Sequence, residues 1–100
     1  MDQEVVCKIA KWRIRSAENY CYCLTEKVAN GDIEGATENL RQIRLCLSSA
    51  IESLHKALLI DGPLKAHALG LLNAAQNLRS ISEGSIIMAE FLRKKNQTCC

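Results

Sequence analysis

The residues of this chain best suited to chemistry are its six cysteines and two histidines. A metal site needs several such side chains that converge on one point. Cys21 and Cys23 are two positions apart, so on a helix their thiols point about 200° away from each other. Cys99 and Cys100 are adjacent and occupy the last two positions of the chain. The spacing therefore predicts no metal site and no cofactor.

The histidines add no catalytic arrangement. An antiparallel hairpin would bring Cys7, His55 and His67 to one end of a bundle, but the apolar periodicity places His55 on an outer helical face. We expect a solvated His55 and a half-buried His67. Nucleophilic catalysis requires a nucleophile, a base and an orienting group, and the two histidines do not assemble such a set. With no glycine-rich phosphate-binding loop either, the sequence predicts a protein that is not an enzyme.

The segments that would position any site are three long apolar stripes. In each, apolar residues recur at alternating spacings of three and four, which places one continuous stripe on a helix. The stripes are Cys7, Ala10, Ile14, Ala17, Cys21, Leu24 and Val28; Ile33, Ala36, Leu40, Ile43, Leu47, Ala50, Leu54 and Ala57; and Leu64, Ala68, Leu71, Ala75 and Leu78. They predict an all-α fold, an antiparallel bundle of three long helices that forms one domain over residues 1–100.

The first break between helices has clear signals. The first helix is predicted over residues 3–29 and the second over residues 33–59. Between them, Asn30-Gly31 supplies a left-handed cap, because glycine reaches positive φ without steric cost. Asp32 follows and can accept hydrogen bonds at the start of the second helix. So short a connection forces an antiparallel hairpin.

The third helix is predicted to open at Pro63, whose fixed φ suits a first helical position. Its end has two interpretations. The helix either continues to Lys95 with Gly84 inside it, or breaks at residues 82–85 and leaves a short fourth helix over residues 86–94. A glycine inside a helix costs about 1 kcal/mol relative to alanine. That cost is small against packing, so continuity is favoured.

The third helix is apolar around most of its circumference, which is typical of a helix buried on several sides. Two other helices in a chain of 100 residues cover only about half of it. The helix therefore either fills the centre of a compact bundle or carries a face for self-association, most simply as a two-fold dimer. The residues proposed for self-association are Leu69, Leu72, Ile87, Met88, Phe91 and Leu92.

The first helix has a second apolar surface, opposite its stripe. Val5, Ile9 and Trp12 share this outer face, and Lys8 and Arg15 lie beside them. A tryptophan flanked by cations is typical of a binding hot spot. These five residues form the predicted face for a protein partner. The alternative is that the third helix or a short fourth helix covers it.

Charge leaves one rival function open. The formal net charge of +2 is too small to indicate nucleic-acid or membrane binding by itself. Lys8, Lys11 and Arg15 nevertheless line one side of the first helix, and phosphate contacts need little more than clustered cations. A nucleic-acid-binding accessory protein is therefore the alternative, although the long helices and antiparallel turns do not match a helix-turn-helix.

Location and overall function complete the predictions. Asp2 and Glu4 stand where a basic signal-peptide start would be, and no apolar run approaches the roughly 20 residues of a membrane span. These features predict a cytoplasmic protein with reduced thiols and no membrane contact. The predicted function is non-catalytic protein–protein interaction, as an adaptor, regulator or inhibitor, combined with self-association.

Overall fold

The computed structural model describes residues 2–98, and the side chains of residues 2–95. Three helices follow one another along the chain: α1 (Gln3–Ala29), α2 (Ile33–Leu58) and α3 (Lys65–Thr98). They pack against each other in a rod of 59 × 16 × 14 Å, and the described residues contain no strand. The predicted all-α fold of three long helices is confirmed.

The α1–α2 turn has the predicted chemistry. Gly31 has a φ of 78°, a left-handed conformation that glycine adopts without strain. The side chain of Asp32 accepts a hydrogen bond from the backbone N–H of Gly35 at 2.9 Å and caps the first turn of α2. The chain therefore reverses direction within three residues, and α1 and α2 run antiparallel.

The α2–α3 turn differs from the prediction by a few residues. α2 ends at Leu58, and α3 begins at Lys65 rather than at Pro63. The backbone N–H of Lys65 donates to the carbonyl of Gly62 at 3.2 Å, so Pro63 lies inside a tight turn that precedes the helix. The first α-helical bond of this region joins Ala68 to the Leu64 carbonyl at 2.8 Å.

A side chain from the other end of the chain supports this turn. Gln3 donates from its amide nitrogen to the carbonyls of Ala57 and Ile60, each at 3.2 Å. The last carbonyls of a helix lack partners within that helix. Gln3 therefore caps the end of α2 and fastens the start of α1 to it.

α3 continues without a break through Gly84, so the favoured interpretation of its end is the correct one and no separate fourth helix is present in the described residues. The hydroxyl of Ser82 donates to the Leu78 carbonyl at 2.8 Å, and that of Ser85 donates to the Ile81 carbonyl at 3.0 Å. Both serines thus bond back along the same helix instead of capping a new one.

The core confirms the first two stripes and corrects the third. Most positions of the first two stripes are buried, with Cys21, Val28 and Ile33 partly covered. On α3, Leu71 and Leu78 are only half-buried. The buried line of α3 instead consists of Ala68, Leu72, Ala75, Ser82, Ile86 and Ala89. α3 packs more extensively on α2 than on α1, so its buried side is turned toward α2.

None of the helices described over residues 2–98 is both long enough and apolar enough to cross a membrane. Charged residues lie on the outer side of each helix. On α2 that face includes an i,i+4 pair, Glu52 and Lys56, whose charged atoms are 3.6 Å apart as the spacing predicts.

Candidate interaction surfaces

The outer face of α1 is open to solvent. Val5 is 48% exposed, Ile9 45% and Trp12 75%. Their spacing of four and then three residues places them on one side of the helix, opposite the buried stripe. Neither α2 nor α3 covers this side. The alternative, that the third helix or a short fourth helix covers this face, is therefore wrong for the described residues.

The three side chains border a shallow depression on α1. Its rim also includes Lys8, Arg13 and Ser16, and its surface is mainly apolar. Lys8 lies where the sequence predicts, whereas Arg15 is exposed but outside the depression. We name this surface, made of Val5, Lys8, Ile9, Trp12, Arg13 and Ser16, the α1 face.

Sequence reasoning missed Arg13 and Ser16. Arg13 follows Ile9 by four residues and Ser16 follows Trp12 by four, so the i,i+4 relation could have found both. Arg13 is also half-buried, which is typical of a side chain whose aliphatic stem lies along an apolar surface.

The charge on and beside the α1 face is positive. Nζ of Lys8 lies 3.6 Å from Oε1 of Glu4, but both side chains are well exposed. Ion pairs of this kind contribute little to stability. Arg13 and Arg15 form no ion pair with any residue in the described part of the chain. The guanidinium groups beside Trp12 therefore remain available to an anion from outside the molecule.

A second exposed apolar surface lies on the C-terminal half of α3. It includes three of the residues proposed for self-association: Ile87 is 66% exposed, Met88 59% and Phe91 62%. Ile81 is 62% exposed on the same half of the helix. We name Ile81, Gly84, Ile87, Met88 and Phe91 the α3 face.

Three of the residues proposed for self-association need separate treatment. Leu72 is only 5% exposed and belongs to the core, because the buried line of α3 is turned toward α2; its inclusion was wrong. Leu69 is exposed but lies about 18 Å along the helix axis from Ile81, so it is separate from the α3 face. Leu92 lines a groove beside Val28 and Ile33, at the α1–α2 turn.

The residues suited to chemistry remain dispersed. His55 is exposed as predicted, but His67 is exposed rather than half-buried, at the edge of a groove near Cys7. Burial raises the pKa of the Cys7 thiol, which keeps it protonated and unreactive. Within residues 2–98 no three His, Cys, Asp or Glu side chains meet in a way that could hold a metal ion. Cys99 and Cys100 lie outside the described residues.

Comparison with protein-family models, with curated proteins and with solved structures finds no match to this chain. The function is therefore inferred from the α1 face and the α3 face. Each combines apolar side chains that the fold leaves in solvent with a position on a regular, well-supported helix.

Proposed function

We propose that this protein is not an enzyme and acts by binding another protein through the α1 face, as an adaptor, regulator or inhibitor. The observation that carries the proposal is the position of Trp12, which is 75% exposed between two further exposed apolar side chains. A tryptophan gives large binding energy when a partner buries it. In the free chain this ring adds little to the core, so its contribution lies in recognition.

The chemistry of the α1 face indicates what kind of partner fits. Its centre is apolar, and Lys8, Arg13 and Arg15 place positive charge beside it. An amphipathic helix that carries an apolar stripe bordered by Asp or Glu complements both properties. Such helices bind apolar surfaces through residues spaced by three, four and seven positions, and the charge complementarity sets orientation and speeds association.

The test is titration of the isotopically labelled protein with a helical peptide that has leucines at this spacing and glutamates beside them. We expect saturable binding, with NMR chemical-shift changes concentrated in residues 5–16. A peptide with the same composition in scrambled order is the ligand control. Failure to saturate, or shifts centred elsewhere on the surface, would rule out the α1 face as the binding site.

Two matched variants show whether a loss of peptide binding is specific to the α1 face or follows from the removal of any exposed aromatic side chain. Trp12→Ala is expected to weaken peptide binding by at least about tenfold. Tyr22→Ala removes another aromatic side chain of α1 that is also 75% exposed but lies outside the α1 face, and it should leave binding unchanged. Equal losses in both variants would contradict the proposal.

A nucleic acid is the other occupant to be tested, because Lys8, Lys11 and Arg15 are exposed along one side of α1. Duplex DNA and RNA in the same titration would show binding that weakens steeply with salt. Binding of this kind that is lost in Lys11→Glu but unaffected by Trp12→Ala would replace the protein partner with a nucleic acid.

The proposal includes self-association through the α3 face, as a closed two-fold dimer. Its support is the exposure of Ile81, Ile87, Met88 and Phe91 on one side of α3, whereas single scattered apolar residues on a surface are ordinary. A cytoplasmic location stays a prediction from the sequence.

A further inference from the structure

Gly84 lies at the centre of the α3 face. Ile81 precedes it by three residues, and Ile87, Met88 and Phe91 follow it by three, four and seven. These spacings place all four side chains on the same side of the helix as Gly84, and each is about 60% exposed. The result is an apolar surface with a notch at its middle.

Packing within the single chain does not explain this glycine. Gly84 is inside a continuous helix, and its φ is not positive, so its backbone is open to any L-residue. A Cβ atom added there would meet no atom within 4 Å. Glycine nevertheless costs a helix interior about 1 kcal/mol relative to alanine. A side chain is therefore missing at the centre of the α3 face, where a second helix could approach α3 closely.

We propose that a second copy of the chain covers the α3 face, with the two α3 helices antiparallel and Met88 of each copy seated over Gly84 of the other. In this register the two-fold axis crosses between the two helices at the level of residue 86 along the helix axis. Ile81 then packs against Phe91 of the second copy. The register presupposes the self-association proposed above and specifies its geometry.

A second copy fits because the surface is complementary to itself. The α3 face carries both a notch, at Gly84, and an exposed knob, Met88, four residues further on. In a two-fold dimer each copy therefore supplies the knob for the notch of the other, as in an isologous contact. The centre of the face is uncharged, since Ile81, Gly84, Ile87, Met88 and Phe91 are all apolar.

The available length suits a modest dimer interface. Helices in this register overlap over residues 77–95, which is about 27 Å of helix axis. A standard interface buries about 800 Å² on each partner, and the four large side chains of the α3 face supply its apolar centre. We therefore expect a dimer that forms and dissociates in the micromolar range.

The first test compares two glycines of α3 by sedimentation equilibrium from low micromolar to several hundred micromolar protein. Gly70 is the matched control, because it is also helical, exposed and free of any atom within 4 Å of an added Cβ. Gly84→Ala and Gly70→Ala should both raise helix stability. Only Gly84→Ala should weaken the dimer, by about tenfold in Kd. Equal association of the two variants would overturn the register.

The second test is a charge exchange between facing positions. Ile81→Lys and Phe91→Glu should each be monomeric, since each copy places a charge against an apolar residue. An equimolar mixture should dimerise, because one facing pair becomes Lys with Glu while the other keeps the original residues. Recovery in a mixture of Ile81→Lys and Ile81→Glu instead would mean parallel helices and would overturn the antiparallel register.

The outcomes distinguish self-association itself from the specific register of the two α3 helices. A wild-type chain that stays monomeric at every concentration would remove the self-association itself. If the wild-type chain dimerises and neither Gly84→Ala nor the charge exchange changes its association, self-association stands and the register is rejected. All substituted positions are exposed, and circular dichroism confirms that each variant retains its helices.

Discussion

Arg44 of α2 and Glu83 of α3 form a two-pronged ion pair between helices. Nε and Nη2 of Arg44 donate to the two carboxylate oxygens of Glu83, at 2.5 and 2.6 Å. Paired hydrogen bonds of this geometry are stronger and more directional than single ones. The hydrogen bonds from Arg44 lower the pKa of the Glu83 carboxyl below its usual range. The pair links α3 to α2 and helps to set the position of one helix on the other.

Glu83→Gln is expected to lower the free energy of unfolding by about 0.5–1 kcal/mol, since the pair is partly exposed to solvent. The pKa of Glu83 is depressed in the folded chain, so this stabilisation is complete above the unfolded-state pKa of about 4.3 and disappears as the pH falls through the folded-state value. Urea unfolding of both proteins across this range measures the difference.

The control for this pair lies within α2. Arg41 lowers the pKa of Glu38 to about 2, but both side chains belong to the same helix and are more than half exposed. Glu38→Gln should therefore leave the seating of α3 unchanged, as reported by NMR contacts between α2 and α3. A loss of those contacts in Glu38→Gln but not in Glu83→Gln would contradict the role given to Arg44.

Gln3→Ala should destabilise the fold by about 1 kcal/mol, because the carbonyls of Ala57 and Ile60 lose a donor. Gln3→Glu should cost more at neutral pH, since a carboxylate would face carbonyl oxygens at the negative end of the α2 dipole. Its folded-state pKa would be raised, so stability should be recovered below about pH 4 and lost as the pH rises. Thermal unfolding at several pH values measures this. A deficit for Gln3→Glu that does not depend on pH would contradict the capping role.

Asn39 is a buried polar residue whose replacement should change the stability of the fold. It is only 7% exposed, and its amide nitrogen has no hydrogen-bond partner within the described residues. Leaving a buried donor unsatisfied costs about 1–3 kcal/mol, and an apolar group of similar shape avoids that cost. Asn39→Leu should therefore raise the free energy of unfolding by about 1 kcal/mol in urea titration. A marked loss of stability would show that the amide is satisfied in solution.

Trp12 is the single tryptophan, so its fluorescence reports directly on the α1 face. We expect emission at the wavelength of a water-exposed indole and efficient quenching by acrylamide, because the residue is 75% exposed. Steady-state spectra at low and high protein concentration make the measurement. A blue-shifted emission that resists quenching would mean that the ring is covered in the free protein.

The apolar periodicity predicted α1 and α2 correctly because each of them has a single continuous stripe of apolar residues. On α1 and α2, one stripe of apolar residues is buried and the charged residues lie outside it, and Gly31 ends the first helix where a left-handed residue is needed. The α1 face could be inferred for the same reason. Val5, Ile9 and Trp12 are apolar on the side where the stripe leaves polar residues.

The sequence was less informative about α3. Leu71 and Leu78 are on its predicted stripe, but Leu72 is apolar too, and either line suits a buried helix. The choice between them depends on how much of α3 contacts α1 and how much contacts α2, a property of the whole assembly that spacing within one helix does not encode. The same uncertainty put Leu72 among the exposed residues.

The α1 face and the α3 face belong to different helices of one bundle, which has a consequence for avidity. A dimer joined through α3 would display two copies of the α1 face at a fixed separation. A partner that is itself dimeric, or that repeats its binding helix, would engage both copies, and the second contact would form at a high effective concentration. Each single contact could then be weak. A partner that offers two binding helices would dissociate slowly, whereas a partner that offers one would dissociate quickly.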